Sequence, residues 1–133
     1  MITLEKAKKI IEKAEKKAKE LNVKVCIAVV DNQGLLVALN KMDGAFSVSN
    51  DFSIAKAYTS GTLGLPTEDI SKYSAPGKPY YGIESLSDGK FTTISGGFPI
   101  IENNKLIGGI GVGGSYDVKE DSECAKAGAN LFK

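Results

Sequence analysis

Two charged residues lie beside predicted apolar stripes, and they are the first candidates for chemistry in this sequence. Asp121 precedes Cys124 and Ala125 by three and four residues, so helical spacing places it on the buried stripe of the last predicted helix. It is either a ligand-binding carboxylate or a structural one satisfied by backbone N–H groups near the helix N-terminus. Lys56 lies next to the apolar stripe of an earlier helix. Its ammonium either extends to solvent or attracts an anionic group, such as a propionate or phosphate, in a cleft.

The residue types that are missing restrict the chemistry. The 133-residue chain contains no His, no Trp and no Arg. Without His, Ser-His-Asp and Cys-His mechanisms are excluded, and the commonest metal ligand is absent. Without Arg, the chain has no planar guanidinium group to form a bidentate pair with a carboxylate or phosphate. The enzymatic hypothesis that stays open is acid–base catalysis by Asp121 with Lys56 or a tyrosine, and we expect no metal site.

Two loop segments are further candidates for binding. Met42-Asp43-Gly44 is typical of a turn that ends a strand, while Met42 also offers soft contact surface or a thioether ligand for a haem iron. Tyr80 and Tyr81 follow a segment that two prolines stiffen. Such tyrosines cover a pocket, lie in a protomer interface or pack in the core, and the sequence leaves these three alternatives open.

Glycines dominate the last predicted strand. Gly109, Gly111 and Gly114 match GxGxxG, but too little chain follows to build the βαβ unit of a dinucleotide site. Glycine at this density indicates close approach by another backbone, a bulge or a ligand. We expect the bare strand to open a hollow, into which the neighbouring helices direct Lys56 and Asp121.

Composition indicates an ordinary globular protein of one domain, residues 1–133. The formal net charge is +1, and the N-terminal lysines alternate with glutamates, which is typical of a solvated helix face and not of a nucleic-acid site. Cys26 and Cys124 lie in apolar runs, which predicts reduced, buried thiols. No secretory leader or membrane-spanning stretch is visible, so we expect a soluble cytoplasmic protein without a membrane partner.

Periodicity and turn residues predict an α+β fold. We expect one antiparallel sheet of about five strands with helices packed on it. The predicted helices begin after Thr3, near Ser47, at Thr67 and at Asp117, and the predicted strands cover 25–30, 35–39, 91–94, 98–101 and 106–112.

Several segments, taken in order, carry a family resemblance. They are Ala28-Val29-Val30-Asp31 with Gly34, Lys41-Met42-Asp43-Gly44-Ala45, Ile54-Ala55-Lys56-Ala57-Tyr58-Thr59, Pro66-Thr67, Pro76-Gly77 with Pro79 and Gly82, Gly96-Gly97-Phe98-Pro99-Ile100, Ile107-Gly108-Gly109-Ile110-Gly111-Val112, and Asp121 with Ala125. The chain resembles, nearly end to end, the GlcG/HbpS-like family, which also supplies the C-terminal domain of PduO-type corrinoid adenosyltransferases. The resemblance implies a profilin-like fold, with a five-stranded antiparallel sheet between helical layers (α/β/α), assembled into homodimers or larger homo-oligomers.

The resemblance also implies a function. Some relatives bind haem, one group is linked to haem degradation and iron sensing, and others are encoded with glycolate or diol metabolism. This sequence departs from the family in having Lys41 where many relatives have Arg, Ser115-Tyr116 after Gly114, and no His to ligate a haem iron.

We therefore predict a non-catalytic protein that binds haem, a corrinoid or another small anionic ligand. The alternative is an accessory protein that assembles with a glycolate- or diol-metabolising enzyme system and binds no small molecule. The predicted ligand-binding residues are Met42, Asp43, Lys56, Tyr80, Gly97, Pro99 and Asp121.

Overall fold

The computed structural model describes residues 1–132, and it has an α+β architecture. Four antiparallel strands form one sheet in the order β2-β1-β4-β3, with helices on both faces. The elements are α1 (Leu4–Glu20), β1 (Cys26–Asp31), β2 (Leu36–Lys41), α2 (Ser49–Leu63), α3 (Thr67–Ser74), β3 (Gly97–Glu102), β4 (Lys105–Gly113) and α4 (Val118–Ala129). Two short 3₁₀ turns, Ile83–Ser85 and Ser87–Gly89, lie in the long connection between α3 and β3.

The expected fifth strand is absent from the described residues, so the five-stranded prediction is wrong. Residues 91–94 form no ladder. The Thr92 N–H instead donates to Thr59 Oγ1 at 2.9 Å, and the Ile94 N–H donates to Thr92 Oγ1 at 3.2 Å. These side-chain acceptors replace the neighbouring strand that the apolar pattern predicted. The profilin-like label stays a prediction.

One face of the sheet carries the larger apolar core. Helices α1 and α4 pack on this face and on each other. Each begins at a side-chain cap, since Thr3 accepts from the Lys6 N–H at 3.2 Å and Asp117 accepts from the Lys119 N–H at 2.9 Å. The core residues are Ile10, Ile11, Val25, Ile27, Val29, Ile110, Val112, Cys124 and Ala125, among others. Leu4, in the first turn of α1, and Leu131, after the end of α4, are exposed and lie outside this core.

The other face of the sheet is covered by α2, which approaches the glycines of β4 backbone to backbone. A Cβ at Gly111 would lie 2.0 Å from the Ser53 carbonyl oxygen and 2.4 Å from the Ala57 nitrogen. A Cβ at Gly109 would lie 2.4 Å from the nitrogen of Gly61. Only glycine permits a helix to lie this close to a strand. The glycines therefore serve close backbone packing, and the expectation of a hollow along β4 is wrong.

Candidate functional site

A buried ion pair joins α2 to α4 at the end of β4. Lys56 Nζ lies 3.2 Å from Asp121 Oδ2 and donates to the Val112 carbonyl oxygen at 2.8 Å. The two side chains are 1% and 2% exposed. The interpretation that Lys56 extends its ammonium to solvent is therefore wrong. Asp121, for which helical spacing predicted the inner face of α4, points at the lysine.

Neighbouring groups hold the pair in place. Asp121 Oδ1 accepts a hydrogen bond from the Ser115 N–H at 3.1 Å, which ties the carboxylate to the loop between β4 and α4. The ring centroid of Phe52, one turn earlier in α2, lies 5.5 Å from Lys56 Nζ, within the range of a cation–π contact. The pair therefore links α2, the end of β4 and the first turn of α4.

Burial dominates the electrostatics of this pair. Desolvation raises the pKa of the Asp121 carboxyl, although Lys56 and the Ser115 N–H act in the opposite direction. Desolvation likewise lowers the pKa of the Lys56 ammonium against the attraction of Asp121. Both directions indicate that removing the two charges from water costs more than their attraction returns, as is common for buried ion pairs.

Backbone closes the pair off on the side of β3. A Cβ at Gly96 would lie 2.8 Å from Lys56 Nζ, and a Cβ at Gly97 would lie 2.5 Å from the Lys56 carbonyl oxygen. Gly97 therefore lies against the backbone of Lys56, and its missing side chain makes room for α2. A catalytic role for Lys56 and Asp121 requires contact with a substrate, and both side chains are sealed from solvent in this conformation.

The remaining residues predicted for this site lie elsewhere. Met42 is 9% exposed and packs into the core on the side of α1, while Asp43 is exposed in the turn that follows β2. That turn is closed by the Ala45 N–H donating to the Met42 carbonyl oxygen at 3.1 Å. Pro99 is half-buried in β3, opposite Gly109. These residues therefore line no common cavity with the ion pair.

Tyr80 lies in an open groove of about 440 Å³ on the long connection between α3 and β3. Tyr80 is 53% exposed and Tyr81 is 68% exposed, which excludes the core-packing alternative for both. The lining is mainly apolar and aromatic: Leu63, Pro79, Tyr80, Tyr81, Gly82, Ile83, Ser85, Leu86 and Phe91. The walls suit an apolar ligand, and the polar side-chain groups of the lining are the two phenol hydroxyls and the Ser85 hydroxyl, which donates to the Gly82 carbonyl oxygen at 2.8 Å.

Most of this groove escaped the sequence analysis. Leu86 and Phe91 lie in irregular structure, where periodicity gives no signal, and 91–94 was predicted as a strand. The available signal was apolar side chains in a loop too polar and too glycine-rich to bury them. A second exposed aromatic feature was also missed: Phe46 stacks on Tyr116 with ring centroids 5.7 Å apart, and Tyr116 is 97% exposed.

The two cysteines are free and buried, as predicted. Burial raises the pKa of both thiols, and that of Cys124 reaches about 12. Within residues 1–132, no cluster of three or more His, Cys, Asp or Glu side chains is placed to hold a metal ion. Over the same residues no helix has the length and apolar character needed to cross a membrane. The cytoplasmic location stays a prediction.

Comparison with known proteins identifies the family. Residues 2–130 match the model of the family described as haem degrading protein HbpS-like. The chain belongs to the HbpS-like family. This confirms the resemblance to GlcG/HbpS-like proteins that the ordered segments carried.

Among HbpS-like relatives, the chain is 38% identical over 131 residues to an uncharacterized 15.0 kDa protein in the dhaT-dhaS intergenic region of Citrobacter freundii, covering 98% of this chain and 92% of that protein. It is 33% identical over 113 residues to the corrinoid adenosyltransferase PduO of Salmonella typhimurium. That match covers 85% of this chain but 33% of the enzyme.

A solved structure extends the comparison. The crystal structure of a PduOC:heme complex superposes with a TM-score of 0.90 at 29% identity, covering 97% of this chain and 93% of that one. The HbpS-like fold is therefore shared with a protein that was crystallised with haem.

Proposed function

We propose that this chain is a non-catalytic binding protein for haem or a related planar tetrapyrrole, held in the groove at Tyr80 and Tyr81. The observation that carries the proposal is the groove itself, about 440 Å³ with mainly apolar walls. Its volume falls in the range typical of small-molecule sites, roughly 300–1,000 Å³. The haem of the PduOC complex and the HbpS-like family supply the ligand class.

The side chains of the groove fit such a ligand without histidine. Tyrosine oxygen is an established axial ligand of haem iron in proteins, and the groove presents two phenol groups. Leu63, Leu86 and Phe91 offer apolar surface to a macrocycle. Lys78 stands two residues before Tyr80 and is exposed, so an ammonium is available near the groove for an anionic substituent. When bound, haem would supply a redox-active iron, and the chain's own residues would bind and orient the ring.

Of the seven residues predicted to bind ligand, the proposal keeps Tyr80 at the site. Lys56, Asp121 and Gly97 instead hold the scaffold that carries the groove, and Met42, Asp43 and Pro99 lie outside it. A corrinoid, which the sequence prediction also names, is the second ligand to test. We further infer that the protein acts as a single-domain homo-oligomer, as the family resemblance implies.

Titration of the purified chain tests the proposal. Haem, metal-free protoporphyrin and a corrinoid are added separately, and binding is followed by absorbance and by the melting temperature. A ligand at about 100 times its Kd stabilises the fold by roughly 2.7 kcal/mol, which raises the melting temperature by several degrees. No change in absorbance or melting temperature with any of the three would refute the proposal.

Variants locate the site. Leu86→Asp places a charge on the apolar wall and is expected to weaken haem and metal-free protoporphyrin alike, by about tenfold or more. Tyr80→Phe and Tyr81→Phe remove only the hydroxyl groups, so loss of a tyrosinate–iron absorbance band in one of them identifies the iron ligand. Tyr116→Phe is the matched control, because Tyr116 is exposed outside the groove. Equal haem affinity in Leu86→Asp and the unmodified chain would place the ligand elsewhere.

A further inference from the structure

A second groove, which we call the α2 groove, lies on the surface of α2 and has a volume of about 420 Å³. It is lined by one face of the helix, by the β1–β2 turn and by the end of the second 3₁₀ turn: Asp51, Ile54, Ala55, Tyr58, Gly34, Gly89 and Lys90. The four helix residues follow the spacing i, i+3, i+4 and i+7, which places them on a single face. None of them lines the groove at Tyr80 and Tyr81, so the inference does not depend on the proposed function.

Three contacts hold the Tyr58 ring in place at one end of the α2 groove. The β1–β2 turn meets the ring at Gly34, where a Cβ would lie 2.6 Å from Tyr58 Cε2. Phe91 packs against the ring in an edge-on arrangement, with ring centroids 5.1 Å apart. Lys90 Nζ lies 5.7 Å from the Tyr58 centroid, within the range of a cation–π contact. A phenol group and an ammonium group are therefore brought together at this end.

The backbone that leads into Lys90 has an uncommon conformation. Ser87, Asp88 and Gly89 have positive φ values of 52°, 58° and 77°. Residues other than glycine seldom adopt this left-handed region, and those that do are concentrated at functional sites. The Lys90 N–H donates to the Ser87 carbonyl oxygen at 3.3 Å, which closes the turn. The strained turn therefore positions the Lys90 side chain beside Tyr58.

The α2 groove carries a positive charge at one end and a negative charge at the other. Asp51 precedes Tyr58 by two helical turns, which is about 10 Å along the helix axis. Within residues 1–132, neither Asp51 nor Lys90 takes part in an ion pair, and both side chains are exposed. Between the two charges, Ile54 and Ala55 are half-buried and offer apolar surface. The two charges are thus available to a ligand that spans the apolar surface between them.

We propose that the α2 groove binds a small ω-amino acid, in which several methylene groups separate an ammonium from a carboxylate. The carboxylate accepts hydrogen bonds from the Lys90 ammonium and the Tyr58 hydroxyl, and the ligand ammonium pairs with Asp51. The methylene chain lies on Ile54 and Ala55. An α-amino acid is too short, because both of its charged groups are attached to one carbon. A dicarboxylate is disfavoured, because it brings a second negative charge to Asp51.

Four six-carbon probes test this specificity: 6-aminohexanoate, hexanoate, hexylamine and adipate. Each is titrated at pH 7 into the ¹⁵N-labelled full chain, and binding is followed by the NMR shifts of the backbone amides. 6-Aminohexanoate is expected to bind about three- to fivefold more tightly than each of the others, which is the range for one exposed charge pair. The largest shifts are expected at Gly34, Gly89 and Lys90. Equal affinity for the four probes, no binding, or shifts centred on Tyr80 and Tyr81 would overturn the proposal.

Charge variants provide the second test. Asp51→Lys is expected to reverse the preference, so that adipate binds more tightly than 6-aminohexanoate. Lys90→Met is expected to weaken 6-aminohexanoate and hexanoate about three- to fivefold and to leave hexylamine unchanged. Lys105→Met is the matched control, because Lys105 is exposed and lies outside the groove. An unchanged preference in Asp51→Lys, or equal effects of Lys90→Met and Lys105→Met, overturns the proposal. If circular dichroism shows a variant to be unfolded, the four-probe comparison on the unmodified chain decides.

Discussion

Removing one partner of the buried Lys56–Asp121 pair is expected to destabilise the protein far more than removing both. The two side chains are 1% and 2% exposed, and desolvation raises the pKa of Asp121 and lowers that of Lys56. A single replacement leaves an uncompensated charge in the interior, whereas the double replacement leaves none. The three variants Lys56→Met, Asp121→Asn and the combination therefore measure whether the pair is ionised and closed to water.

The magnitude follows from the cost of neutralising the remaining partner. In Lys56→Met, Asp121 keeps the Ser115 N–H as a partner and loses its cation. Protonating a carboxyl of ordinary pKa ~3.9 at pH 7 costs about 4 kcal/mol, and deprotonating a lysine of ordinary pKa ~10.4 costs about 4.6 kcal/mol, at about 1.4 kcal/mol per pKa unit. These values are ceilings, and they agree with the roughly 3–5 kcal/mol typical of a broken buried pair. The double variant is expected within about 1 kcal/mol of the unmodified protein, or above it.

The pH dependence gives a second signature. In Lys56→Met, burial raises the pKa of Asp121 with no ammonium to oppose it, so the folded state binds a proton more readily than the unfolded chain. The associated stability is fully present below the ordinary carboxyl pKa of ~3.9 and is lost as the pH rises through the folded value. This variant is therefore expected to recover stability on acidification, relative to the unmodified protein. Asp121→Asn is expected to recover on the alkaline side, because burial lowers the pKa of Lys56.

Urea unfolding at neutral and acidic pH measures these free energies, provided that the slope with urea stays constant. Lys72→Met is the matched control, since it removes a lysine from an exposed pair with Asp69 and is expected to cause no measurable change. Single variants that unfold like Lys72→Met would refute the argument. So would a double variant whose loss equals the sum of the single losses, because the two charges would then be independent.

Three further outcomes follow from the packing. Gly111→Ala is expected to lower the free energy of unfolding in urea by at least about 3 kcal/mol, because the added Cβ meets the backbone of α2. In the control Gly77→Ala the added Cβ meets no atom within 4 Å, so the expected loss is about 1–2 kcal/mol and comes from the positive φ of that residue. Thr67→Val is expected to cost about 1–3 kcal/mol by the same measurement, since the buried Gly97 N–H loses its acceptor. With a pKa of about 12, the Cys124 thiol is about one part in ten thousand ionised at pH 8, so iodoacetamide is expected to alkylate it only after unfolding. Rapid alkylation of Cys124 in the folded protein, detected by mass spectrometry, would contradict the last of these.

Local signals in the sequence were sufficient to predict most of the helices and strands. Thr3 and Asp117 are side-chain caps, and both accept the first-turn N–H bonds that their positions predicted. The inward face of Asp121 was also predictable, because helical spacing places it beside Cys124 and Ala125. The partner of Asp121 was not predictable, since Lys56 lies 65 residues away along the chain and meets it only through tertiary packing.

The predictions that failed share a physical cause. A run of glycines shows where side chains are missing, but it does not show which part of the protein fills the space that they leave. At Gly109 and Gly111 the space is taken by the backbone of α2, whose own contact residues are small: Ser53, Ala57 and Gly61. The small residues of α2 and the glycines of β4 are complementary. Close packing of the helix on the strand is predictable only when the two patterns are considered together.

The same packing explains why the proposed binding site lies outside the sheet. Once α2 contacts the backbone of β4, both faces of the sheet are covered by helices, and the Lys56–Asp121 pair is closed off behind Gly96 and Gly97. The proposed function assigns recognition to the long connection between α3 and β3, where Tyr80 and Tyr81 are exposed. Loops held by a rigid core are where proteins commonly place variable binding chemistry. On this reasoning, substitutions at the ion pair will change the stability of the protein, and substitutions in the groove will change what it binds.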